Sequence, residues 1–208
     1  MKRRKNLDLL QWFDYFGVFV FAITGAMLAA RKEMDVFGFV VLALMPAIGG
    51  GTLRDLILSE PVFWLSDTTY LFITLAAALI TFFMVRFMTR LSDVLLWFDA
   101  LGLSVFCAIG AAKAMAVTGA PVIAVVMGVI TAVAGGILRD VIANETPLVL
   151  HKEVYATAAF CGSVCYVLAN YYVAGFALVL GVATAFLVRG LGIVLGLSLP
   201  VSGYKTSD

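Results

Sequence analysis

The chain has 208 residues, 63% of them hydrophobic and only 13% charged, with a formal net charge of +1, and its mean hydropathy is +1.07. A soluble domain is nearer half apolar and a quarter charged, so the composition places this chain in a membrane with little left over for a soluble domain. The near-neutral charge gives no basis for a nucleic-acid partner. Long unbroken apolar runs indicate helices rather than barrel strands, which alternate over about ten residues.

Hydropathy and punctuation define seven spans. The first, 9–30, follows a basic "MKRRK" and contains "FDYFGVFVFAITGA". Its charged start and "AMLAA" imitate a secretory signal. Asp14 interrupts the apolar run, however, and the segment has a twin deeper in the chain, so it is expected to remain as a membrane helix. The second span, 36–58, carries "AIGGGTLRDL": three glycines at Gly49, Gly50 and Gly51 behind Pro46, then Arg54 and Asp55. The third is 67–88. The fourth, 94–116, contains "FDALGLSVFCAIGA" with Asp99, and ends near Lys113, which is expected to snorkel to the headgroups.

The fifth span, 120–142, carries the second glycine word, "AVAGGILRDV", with Ala134, Gly135, Gly136, Arg139 and Asp140. His151, Lys152 and Glu153 make an interfacial opening to the sixth span, 153–173. A lone histidine with no cysteine or second histidine nearby is no metal site. Cys161 and Cys165 of "CGSVC", like Cys107, read as core packing, because free cysteine behaves as a small hydrophobe. The seventh span, 175–198, carries Arg189, which either snorkels or contacts the core, and the small-residue contact word "GIVLG". A polar tail, 200–208, closes the chain.

A shift of 85 positions superposes the first three spans on the next three without a gap. Asp14 falls on Asp99, Gly17 on Gly102, Phe21 on Phe106, Gly50–Gly51 on Gly135–Gly136, Arg54–Asp55 on Arg139–Asp140, and Tyr70 on Tyr155. The chain therefore reads as two three-helix repeats, 1–88 and 94–173, with an unpartnered seventh helix at 175–199 expected to pack outside the duplicated core. An odd number of crossings makes the second copy enter from the opposite side, and inverted repeats with matching broken helices point to a pathway at the repeat interface. Basic residues divide almost evenly between the two sides, so charge does not fix the orientation.

Each helical glycine costs about 1 kcal/mol relative to alanine, so three in a row after a proline are expected to bend or open the second span, and the fifth more mildly. Freed backbone in lipid must be buried in protein or line a wet cavity. Opened carbonyls at Gly49, Gly50, Ala134 and Gly135 would suit a monovalent cation. The competing reading is that the glycines only let helices approach closely. Sequence neighbours on a helix point about 100° apart, so Arg54 and Arg139 are expected to pair with Asp14 and Asp99 across the repeats rather than with Asp55 and Asp140. With no nucleotide loop, metal cluster or activated nucleophile, nothing suggests an enzyme or a cofactor.

At these residues the sequence resembles the prokaryotic TRIC (trimeric intracellular cation) channels: "FDYFGVFVFAITGA" and "FDALGLSVFCAIGA", each followed by a glycine-Arg-Asp word, and "EVYATAAFCG" at Glu153–Gly162. The likeness spans roughly residues 8–198. It implies an all-α protomer of seven membrane helices in a bacterial inner membrane, a homotrimer among membrane lipid, and a separate pore in each protomer. That pore would be lined by the kinked second and fifth helices and pass potassium and sodium. It also implies an N-terminus outside. Bacterial proteins of this resemblance are labelled glycine transporters too, which makes small-amino-acid transport the alternative, with an arginine holding the carboxylate.

Overall fold

The computed structural model describes residues 2–87, 91–151 and 153–198, with residues 2–9 as backbone only. The basic side chains of the N-terminal tail, Arg90, Lys152 and the tail 200–208 lie outside it. Eight α-helices make up the described fold: α1 Lys2–Arg31, α2 Val36–Ile57, α3 Phe63–Ser66, α4 Thr69–Met84, α5 Leu91–Thr118, α6 Pro121–Ile142, α7 Ala156–Tyr172 and α8 Ala177–Leu195. Helix α3 is a single turn in a connection, and the other seven correspond to the seven expected spans. Six of these are long and apolar enough to cross a membrane. Helix α7 has 17 residues and starts three residues late, because Glu153 forms an isolated bridge with Ser198 instead of continuing the helix.

Local chemistry sets the ends. Asp35 caps α2 by accepting from the Gly38 N–H at 2.8 Å. Pro121 opens α6, where its missing N–H costs nothing. Gly196 closes α8 in the left-handed conformation. Helices α2 and α6 end alike: Ser59 and Asn144, 85 positions apart, both have positive φ, 57° and 54°.

The centre is made by α1 and α5, whose apolar windows are 72% buried against 28–44% for the other spanning helices. Their contact is reciprocal. Gly17 lies against Phe106 and Gly102 against Phe21, while Phe21 and Phe106 stack with centroids 5.2 Å apart. Phe21 and Phe106, 85 positions apart, thus meet at the centre.

Helices α2 and α6 cross by the same rule. A Cβ on Gly50 would meet the Thr131 carbonyl at 2.0 Å, and one on Gly135 would meet the Pro46 carbonyl at 2.7 Å. Residue 131 is the counterpart of 46, and 135 of 50, so the two helices run antiparallel and touch backbone to backbone. The opening expected at the glycine words is absent, because both helices stay helical through them. Tertiary contact keeps the chain helical where propensity alone would break it, and glycine supplies the close approach. The expected outward carbonyls of Gly49, Gly50, Ala134 and Gly135 are accordingly kept within the helices. The carbonyl that does lose its helical donor is Leu42, since Pro46 has no N–H; Gly25 of α1 packs directly on it. In α6 the counterpart of Pro46 is Thr131, whose hydroxyl donates to the Met127 carbonyl at 2.6 Å.

Candidate functional site

Because α2 and α6 are antiparallel, their Arg-Asp pairs sit on opposite sides of the glycine crossing. Each arginine is 1% exposed. Each bonds its sequence neighbour: Arg54 Nε donates to Asp55 Oδ1 and Arg139 Nε to Asp140 Oδ1, both at 2.8 Å. The expectation that neighbours would point apart fails because the long guanidinium folds back over its own helix end. The second carboxylate oxygen of each aspartate is taken as well. Asp55 Oδ2 accepts the Phe63 N–H at 3.0 Å and Asp140 Oδ2 the Leu148 N–H at 3.1 Å. Each Arg-Asp pair thus pins the loop that follows its helix.

The partners beyond that differ between the halves. Arg139 NH1 reaches Asp99 Oδ1 at 2.7 Å and Thr24 Oγ1 at 2.8 Å, so the acid comes from its own repeat and the hydroxyl from the other. Asp14 does not hold Arg54. It accepts from Lys113 Nζ at 2.8 Å and from the Tyr70 hydroxyl at 3.2 Å. The cross-repeat ion pair is therefore made by lysine: the part-buried Lys113 turns its ammonium inward to Asp14 instead of out to the headgroups. Substitution explains the asymmetry: the counterpart of Lys113 is Leu28, and that of Thr24 is Ile109. With Asp14 taken, Arg54 NH1 has no hydrogen-bond partner among the described residues. The Arg54 and Lys113 cations both lie near the Phe63 ring, 5.8 and 5.1 Å from its centroid, where cation–π attraction offsets part of the burial cost.

A cavity of about 270 Å³ opens on the α6 side, reaching Arg139 and Asp140 past Arg31, Glu145, His151 and Glu153. At its rim Lys32 and Glu145 form an ion pair at 2.8 Å. That hydrogen bond and charge hold the Glu145 carboxyl below the usual glutamate range. Across the protein, hydrogen bonds from Thr69 and Tyr15 likewise hold the Asp67 carboxyl low, with the Tyr15 hydroxyl donating at 2.5 Å. Gly51 is packed by the Phe63 ring and Gly136 by the Tyr155 hydroxyl, so each glycine word bears on the polar cluster beside it. Among the described residues no group of histidine, cysteine or carboxylate side chains could hold a metal ion.

The sequence reading left several members of these clusters without a role. Tyr70 and Tyr155 coincide under the repeat shift, a usable signal; Thr24 carries none, and Glu153 reads in the sequence only as an interfacial residue. Arg189 is 1% exposed and pairs with Glu153 at 2.6 Å, so α8, the expected seventh span, contacts the core.

A family model described as Glycine transporter matches the chain twice, at residues 11–86 and 96–171. The two matches are again 85 residues apart, as a tandem duplication requires. A UPF0126 membrane protein of Vibrio cholerae is 46% identical over 199 residues, covering 94% of this chain and 83% of that one. The inner membrane protein YadS of Escherichia coli K12 is 43% identical over 197 residues, covering 92% and 95%. Among solved structures, a TRIC trimeric intracellular cation channel orthologue from Rhodobacter sphaeroides superposes with a TM-score of 0.87 at 44% identity, covering 91% of this chain and 99% of that one.

Proposed function

The chain belongs to the TRIC-like Glycine transporter family of multi-pass bacterial inner membrane proteins, and on that premise we propose that it is a potassium-permeable channel for monovalent cations. The observation carrying this reading is the pair of buried carboxylates, Asp14 and Asp99, set on opposite sides of the α2–α6 crossing in a fold similar to that of solved cation channels. A carboxylate inside a membrane attracts cations and excludes anions, and intramembrane charge is costly enough to mark a pathway. Here each carboxylate is neutralised by a tethered cation, Lys113 or Arg139.

The path runs through each protomer along α2 and α6. Arg54, Asp55, Arg139 and Asp140 set its electrostatics, and Asp14 and Asp99 hold the competing cations. Gly49–Gly51 and Ala134–Gly136 line its narrowest point; Gly50 and Gly135 pack there against the Thr131 and Pro46 backbone, and conduction requires the two helices to part. The repeats are inverted across the membrane, α7 completes a seventh crossing with the help of its connections, and three protomers assemble as in the trimeric relative.

The family description keeps small-amino-acid transport as the rival, with Arg54 or Arg139 as carboxylate ligand. The two are separated by recording the purified protein in planar bilayers under a potassium chloride gradient. Discrete steps reversing near the potassium potential, altered by Gly136→Val, are the expected result. A silent bilayer with labelled glycine accumulating in liposomes would replace the channel by the transporter.

A further inference from the structure

Helix α8 has no counterpart under the 85-residue shift, yet it sends one charged side chain into the core. Arg189 is buried, its NH2 bonds Glu153 Oε2 at 2.6 Å, and its guanidinium lies 5.3 Å from the centroid of the Tyr155 ring. Tyr155 is itself 2% exposed, with its hydroxyl against Gly136. The Glu153 backbone is also bridged to Ser198, just beyond the end of α8. One helix therefore grips both ends of the short segment 153–155.

Glu153 is the member of this group that meets water. Its side chain is 40% exposed, and it lines the cavity that leads to Arg139 and Asp140. The repeat has no equivalent acid, because the residue 85 positions earlier is Thr68. In the first-repeat cluster a cation supplied by the second repeat, Lys113, stands beside the Phe63 ring and holds the Asp14 carboxylate. In the second half Arg189 does the same from outside the duplication. We infer that Arg189 is a positioning residue of the cation path: it neutralises Glu153 at the cavity mouth, fixes Tyr155 beside Gly136, and so sets how strongly that mouth concentrates cations.

This rests on the channel reading above, and the test separates the two. Wild type, Arg189→Gln and the double variant Glu153→Gln/Arg189→Gln are recorded in planar bilayers at 10 mM, 150 mM and 1 M potassium chloride. Arg189→Gln leaves one uncompensated carboxylate, and a unit charge roughly 8 Å from the permeating ion raises conductance about twofold at 10 mM, where the Debye length is about 30 Å. The gain disappears at 1 M, where that length is about 3 Å. The double variant, having lost both charges, returns to the wild-type salt dependence. A purely structural role for Arg189 would change conductance equally at every salt concentration.

If Arg189→Gln does not fold, Glu153→Gln leaves the Arg189 cation uncompensated at the mouth. Its conductance at 10 mM must then fall to about half of wild type and recover at 1 M. Wild-type conductance at 10 mM in the folded single variant, or a change independent of salt, overturns the inference while the channel reading stands. A silent wild-type bilayer removes both.

Discussion

Replacing Gly50 by alanine tests whether the α2–α6 crossing is held by backbone contact. The added Cβ would lie 2.0 Å from the Thr131 carbonyl oxygen, whereas ordinary contact starts at 3.4 Å. The helices must therefore separate by about 1.4 Å, and because the obstacle is backbone no side-chain rotation relieves it. Such overpacking costs about 1–3 kcal/mol, toward the upper end for a backbone clash. Alanine recovers up to about 1 kcal/mol of helix propensity. The net expectation is a loss of about 2 kcal/mol, equivalent to a fall of roughly 4–8 °C in melting temperature for a chain of this size. The assay is thermal unfolding of the detergent-solubilised protein, with Gly175→Ala as control, since nothing lies within 4 Å of a Cβ there. If Gly50→Ala melts with the control, the crossing is not closed by backbone contact and the glycine words need another explanation.

Gly136→Ala meets the Tyr155 hydroxyl at 3.0 Å, the far end of a side chain; it should cost under about 1 kcal/mol of stability yet change single-channel conductance, and unchanged conductance would remove Gly136 from the path. Asp99→Asn should destabilise by about 3 kcal/mol, because it removes one of the two carboxylates that hold a fully buried arginine. Asp14→Asn should cost only about 1 kcal/mol, since Lys113 keeps a quarter-exposed side chain, 26%; equal melting shifts would refute the ranking. At the cavity rim the Glu145 carboxyl is depressed in the folded state by Lys32, so its contribution is present above the ordinary glutamate value of 4.5 and lost as the pH falls through the folded value. Lys32→Ala should flatten that acid limb of the melting-temperature profile, and parallel profiles for the two proteins would contradict it.

Much of this architecture was legible in one dimension. Hydropathy located the long helices to within a few residues, since a bilayer requires unbroken apolar runs of about 20 residues. The 85-residue shift predicts two repeats, and the family model matches the chain at that same spacing. The likeness to cation channels also rested on words in the sequence. Partner choice was not legible. Whether Asp14 would meet Arg54 or Lys113 depends on which side chain reaches across the α1–α5 contact, and Leu28 at the matching position in α1 removes that option for Asp99. The fate of the glycine words was likewise a tertiary matter. Propensity predicts an opened helix at Gly49–Gly51, but the gain from packing Gly50 and Gly135 against a neighbouring backbone outweighs it, and the helices stay intact. Arg189 follows the same logic, because its reach to Glu153 and Tyr155 exists only once α8 lies against α7. Membrane insertion is decided by the average apolarity of a segment, which a sequence states outright; the pairing of buried charges is decided by distances of a few ångströms between segments, which only the packed fold sets.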